Sequence, residues 1–123
     1  MSDAIQRAQE LVRMLRLEAN AQNVALVDHD GTVIAADLDG EFDAPAFLAE
    51  LPEAAEREFD VMDEESGENW HIKLEPFVSG RYTLFVMYDD HSTLGLVRIA
   101  IKKTREQFES VLGGLAENSP AGA

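Results

Sequence analysis

Ile5, Ala8, Leu11, Val12, Leu15 and Ala19 recur at steps of three and four, which lines one face of a first helix and turns Arg7, Arg13 and Arg16 outward. The period then changes. Val24-Ala25-Leu26-Val27 is a short apolar run, and Asp30-Gly31 supplies the turn chemistry that reverses the chain into Val33-Ile34-Ala35-Ala36, so a hairpin is predicted. In the middle of the chain, Ala46, Phe47 and residues 49–51 and 53–58 favour a helix. Pro52 removes a backbone donor there and predicts a second helix that is short or broken. Residues 58–62 read as a brief edge strand, and Ser66-Gly67-Glu68-Asn69 as a turn into the alternating strand Trp70-His71-Ile72-Lys73-Leu74. Ser79-Gly80 turns the chain again. Tyr82-Thr83-Leu84-Phe85-Val86-Met87-Tyr88 is apolar enough for a central strand covered on both faces.

The last element is ambiguous over a short window, because Leu96, Arg98, Ala100 and Lys102 alternate with Val97, Ile99, Ile101 and Lys103 as a strand would. The longer series Val97, Ile101, Thr104, Phe108, Val111, Leu115 steps by four, three, four, three and four, which only a helix sustains. Gly113-Gly114 should fray or end it, leaving one domain over residues 1–116 and a disordered tail over 117–123. The predicted order is helix, two strands, helix, three strands, helix.

At 123 residues the chain has room for one modest core, and 46% hydrophobic content with clear periodicity sets it apart from disordered sequences. It contains no cysteine, which removes disulfides, thiolate metal sites and thiol nucleophiles together. Its first residues lack a basic start followed by an apolar run, and no stretch approaches the roughly 18 apolar residues of a membrane span. A cytoplasmic protein is expected.

Charge is concentrated. Residues 37–68 hold thirteen acidic residues and one basic residue, Arg57, so −12 of the net −14 lies in about a quarter of the chain. Such a segment repels phosphate backbones, which argues against nucleic acid and anionic membranes as ligands. It suits either a basic protein partner or a solvated acidic loop.

Candidate chemistry is sparse. Asp28-His29-Asp30-Gly31 and Asp37-Leu38-Asp39-Gly40 invite a calcium-loop test. Placing the glycine sixth puts Leu26 first in one case, and Ala35 first with Ala46 last in the other, so both read as turns. Of His29, His71 and His91, only His91 has a ligand-like neighbourhood, beside Asp89 and Asp90. A polar turn with Ser92 or Thr93 capping the last helix accounts for it. Ser92 lacks a Gly-x-Ser-x-Gly setting, and the chain has no Walker loop and no Gly-x-Gly-x-x-Gly run. No catalytic constellation, cofactor site or metal site is expected.

Phe77, Tyr82, Phe85 and Tyr88 fall at strand positions suited to a core. Phe42, Phe47 and Phe59 are scattered through the acidic segment, where core and interface readings are both open. An edge strand beside Phe47, Leu48, Leu51 and Phe59 leaves unpaired backbone and apolar surface that a twofold contact through residues 43–62 would cover. The candidate dimer or partner surface is therefore Phe42, Phe47, Leu48, Leu51, Phe59 and Val61.

The run Tyr88-Asp89-Asp90-His91-Ser92-Thr93-Leu94-Gly95-Leu96-Val97-Arg98-Ile99-Ala100-Ile101-Lys102-Lys103 joins a strongly apolar strand to an amphipathic helix through one compact polar turn. It resembles the bacterial Roadblock/LC7 family in its MglB-like branch. The resemblance is densest over residues 82–112 and returns in Asn23-Val24-Ala25-Leu26-Val27-Asp28-His29-Asp30-Gly31-Thr32-Val33-Ile34-Ala35, a little over a third of the chain. It implies an α+β sandwich, with a five-stranded antiparallel sheet, one helix on one face and two on the other. It also implies a homodimer joined through edge strands and second helices, in which Leu94 to Lys103 are structural. Members of that branch work with Ras-like GTPases in cell polarity and gliding motility, where the second-helix surface stimulates GTP hydrolysis without an arginine finger. This chain departs from the pattern at Pro52, and it is expected to lack the long C-terminal extension of many relatives. The expected function is therefore a non-catalytic adaptor that binds a related MglB-like Roadblock protein, a Ras-like GTPase or a polarity scaffold, with recruitment to a cell pole as an option. Direct GTPase activation is the alternative, and an acidic secretion chaperone is a second one that composition alone permits.

Overall fold

The computed structural model describes residues 3–38, 57–62 and 69–118. The first element is α1 (Asp3–Ala19). Ala8, Leu11, Val12, Leu15 and Ala19 are fully buried along it, whereas Ile5, expected on the same stripe, is 42% exposed. Asn20 stops the helix at a φ of 53°. The Ala21 N–H reaches the Arg16 carbonyl at 3.0 Å and the Asn20 N–H reaches Leu17 at 3.2 Å, the paired reverse bonds that satisfy a helix's last carbonyls. Arg16 does not turn outward. Its guanidinium meets Asp37 at 3.0 Å, because the second strand runs alongside the helix's last turn.

Strands β1 (Asn23–Asp28) and β2 (Val33–Asp37) form the predicted hairpin. Gly31, at a φ of 89°, takes the left-handed turn position that side chains avoid. The register slips between Leu26 and Val27, so one extra residue bends β2. The chain resumes in β3 (Arg57–Met62), β4 (Asn69–Phe77) and β5 (Tyr82–Tyr88), then enters α2 (Leu94–Asn118). The helix expected around Pro52 and the turn expected at Ser66 lie outside the described residues.

All strand pairs are antiparallel, in the order β2-β1-β5-β4-β3. Every residue of β5 is buried, which explains its unbroken apolar run: it is the middle strand, with both faces covered. On one face α1 and α2 pack together over Val24, Leu26, Phe77, Tyr82, Leu84 and Val86. On the other, Ala25, Ile72, Leu74, Phe85 and Met87 form a smaller cluster, with Trp70 against it.

β4 runs three residues beyond the expected Leu74, through Glu75 and Pro76 to Phe77, and pairs with β5 from His71 to Phe77. α2 also exceeds expectation, continuing through Gly113-Gly114 to Asn118 and so into the stretch read as tail. Each glycine costs a helix interior about 1 kcal/mol. Leu112 is fully buried, and Val111 and Leu115 pack against the core, which more than offsets that cost and carries the helix onward.

Candidate partner-binding edge

The two edges of the sheet are treated differently. At β2, the Gln9 side chain from α1 occupies the outer side of Ala36, donating from Nε2 to its carbonyl at 2.8 Å and accepting its N–H at 3.1 Å. That amide stands where another strand's backbone would pair, so β2 is blocked. At β3, no residue among those described takes the corresponding positions. β3 is instead secured on its helix-facing side.

Alternation places Glu58 and Asp60 of β3 on the same face as His71, Lys73 and Glu75 of β4, with Glu58 opposite Lys73 and Asp60 opposite His71. Arg98 of α2 grips Glu58 through two nitrogens, at 2.8 to 3.1 Å. This bidentate bond is the main reason the Glu58 carboxyl is held below its ordinary pKa. Lys73, only 2% exposed, places its ammonium 3.0 Å from Glu75 and 3.3 Å from Glu58. Arg105, two helical turns beyond Arg98, pairs with Glu75 and covers the Phe77 ring at 5.0 Å. The result is a continuous ladder of alternating charge joining β3, β4 and α2.

His71 stands beside the ladder, two residues before Lys73 on β4. Its Nδ1 lies 2.7 Å from Asp60 and its Nε2 lies 2.8 Å from Asp90, in the turn before α2. Those two hydrogen bonds, Asp90's first, raise the imidazole pKa. Tyr88 stands beside the ring at a centroid distance of 5.2 Å. Burial, followed by the charges of Glu58 and Asp60, pushes its phenol pKa up. Glu58, Asp60, His71, Ile72, Tyr88 and residues 92–94 line an open cleft of about 300 Å³. Below it the turn is tightly built: Thr93 Oγ1 accepts the Leu96 N–H at 3.1 Å as the helix cap, and buried Ser92 donates to the Ala19 carbonyl.

The histidine expectation is therefore corrected. The His91 side chain is 84% exposed and bonds its near neighbour Asp89, whereas the His71 ring joins three segments. The cause is strand register, which brings Asp60 opposite His71 across residues that are distant in sequence. Of the expected surface residues, Phe42, Phe47, Leu48 and Leu51 lie outside the described residues. The β3 backbone sets Phe59 opposite Ile72 and Val61 opposite Trp70. Glu58, Lys73, Glu75 and Gln9 were not singled out from the sequence, and His71 was placed only as a member of an alternating strand. Period-two charge in His71-Ile72-Lys73-Leu74-Glu75, facing Arg98 and Arg105 seven residues apart on the final helix, was the available signal for the ladder.

Among solved structures, MglB of Myxococcus xanthus aligns with a TM-score of 0.70 at 20% identity, over 94% of each chain. The gliding protein MglB of Thermus thermophilus aligns at 0.68 and 19%, over 90% of this chain and 92% of that one. The chain has the Roadblock/LC7 fold. MglC of M. xanthus shares this Roadblock fold more distantly, at 0.52 and 15%, over 85% of this chain and 98% of that one. No protein-family sequence model and no curated protein matches the chain. At this distance the likeness carries the Roadblock architecture, while function rests on the site. Neither described helix of this Roadblock fold is long and apolar enough to cross a membrane.

Proposed function

We propose that this chain is a non-catalytic Roadblock-type adaptor in a polarity or motility system built around a Ras-like small GTPase, acting as a homodimer that binds a related Roadblock protein or scaffold. The observation that carries the reading is the unequal pair of edges: Gln9 blocks β2, while β3 is braced from behind by Arg98, Lys73 and His71 with its outer side open among the described residues. A braced, unblocked strand suits pairing with a second strand. The acidic segment over residues 37–68 suits a basic partner surface. In the resemblance, Pro52 falls in the GTPase-facing helix, and activation needs that helix rigid and correctly placed.

Direct activation is the second reading, favoured by the better superposition on MglB than on MglC. A single-turnover GTP hydrolysis assay with the cognate Ras-like GTPase separates the two. The adaptor reading expects little change on adding this protein, and stimulation of about tenfold or more would replace it with the activator reading.

Light scattering at about 50 µM protein should return twice the mass of one chain, since a twofold contact is the simplest way to pair one open edge. Leu51→Asp, within the segment expected at the contact, should shift the population toward monomer by setting a charge against an apolar interface. A monomeric native protein at that concentration would reject the homodimer.

A further inference from the structure

The arrangement around His71 carries a consequence independent of any partner. Its two ring nitrogens face carboxylate oxygens of Asp60 and Asp90 at 2.7 and 2.8 Å. An ionised carboxylate only accepts hydrogen bonds, and a neutral imidazole has a single N–H to donate. The Asp60 and Asp90 side chains are 70% and 86% exposed, and with a carboxylate oxygen facing each ring nitrogen both contacts are satisfied only when both protons sit on the ring. The observed geometry is that of an imidazolium.

We infer that His71 is a proton-operated clamp on the β3 edge: doubly protonated, it holds Asp60 of β3 and Asp90 of the turn before α2 together, and loss of one proton releases one of them and loosens the end of β3. The other groups around it are accounted for. Glu58 of β3 is taken by Arg98 of α2 and Lys73 of β4, and Glu75 of β4 by Lys73 and Arg105. Asp89 and His91 in the turn bond to each other at 3.1 Å. Tyr88 of β5 keeps its proton throughout, as its pKa moves up from 10.0. His71 is therefore the group in this corner whose charge changes near neutral pH while bridging two segments. Since its folded-state pKa is raised, the clamp's contribution is complete below the ordinary histidine value of 6.5 and disappears as pH rises through the raised value.

The test uses the full chain in two measurements. Histidine ring ¹⁵N spectra across about pH 5 to 9, assigned with His71→Gln, should show both His71 nitrogens protonated at the acid end and a midpoint above 6.5. Amide exchange at residues 60–62, taken relative to amides of the interior strand β1, should then rise by about threefold or more through the same midpoint. Asp90→Asn lies in an exposed turn and should keep the native circular dichroism spectrum while flattening that rise, so the test survives if His71→Gln fails to fold. A His71 midpoint at or below 6.5, or exchange at residues 60–62 that tracks β1 at every pH, or a rise left intact in Asp90→Asn, overturns the clamp.

Discussion

Truncating Phe108 to alanine is expected to cost about 3 to 5 kcal/mol of stability, the usual range for deleting a large aromatic from a packed core. Phe108 is fully buried on the inner stripe of α2 between Thr104 and Leu112, and its ring stacks on Phe77 at 5.3 Å with 21° between the planes. Phe77 ends β4, so this pair is where the last helix grips the sheet. Deleting the ring leaves a cavity bounded by two rigid elements, which cannot collapse to fill it. Domains of this size are stable by only about 5 to 15 kcal/mol, so the variant should unfold at much lower urea concentration. Ile99→Ala, 54% exposed on the same helix, is the control and should stay within about 0.5 kcal/mol of native. Both must be compared at one protein concentration, because the proposed homodimer would add to apparent stability. Equal midpoints for the two variants would mean that α2 does not pack as described.

Removing Glu75 should be nearly as damaging, for an electrostatic reason. The Glu75 carboxylate lies 3.0 Å from the buried Lys73 ammonium and also pairs with Arg105. Glu75→Ala strips the buried Lys73 ammonium of a counter-charge 3.0 Å away, at a cost of about 3 kcal/mol. The pair itself is not expected to be a large net stabiliser, since desolvating two ions offsets most of their attraction. Lys73→Met combined with Glu75→Leu should therefore recover most of the loss. The remaining charges keep partners, as Glu58 retains Arg98 and Arg105 retains Glu109 at 3.9 Å. Urea midpoints of the two single variants and the double variant decide it. A double variant no more stable than Glu75→Ala would show that the ladder acts as a net stabiliser.

Much of the architecture could be read from local pattern alone. The three-and-four spacing from Ala8 to Ala19, the Asp30-Gly31 reversal, the unbroken apolar run of β5 and the long series from Val97 to Phe108 each encode an element through interactions within a few residues, and each is found where expected. The turn before α2 was legible for the same reason, since Thr93 caps the helix that follows it directly. Non-local pairing set the remainder. Ile5 reads as core but stays 42% exposed, Arg16 reads as exposed but meets Asp37, and α2 passes Gly113-Gly114 because α1 and the sheet supply apolar contacts there. The largest gap lies at the site. Asp60, His71 and Asp90 are individually ordinary polar residues, 11 and 19 positions apart. They become one unit when β3 pairs with β4 in a register that sets Asp60 against His71, and when the β5 turn brings Asp90 to the ring's other nitrogen. A side chain's partners depend on which strands are neighbours and in what register. Those are properties of the whole sheet's packing, which the short-range period of hydrophobic and polar residues does not encode.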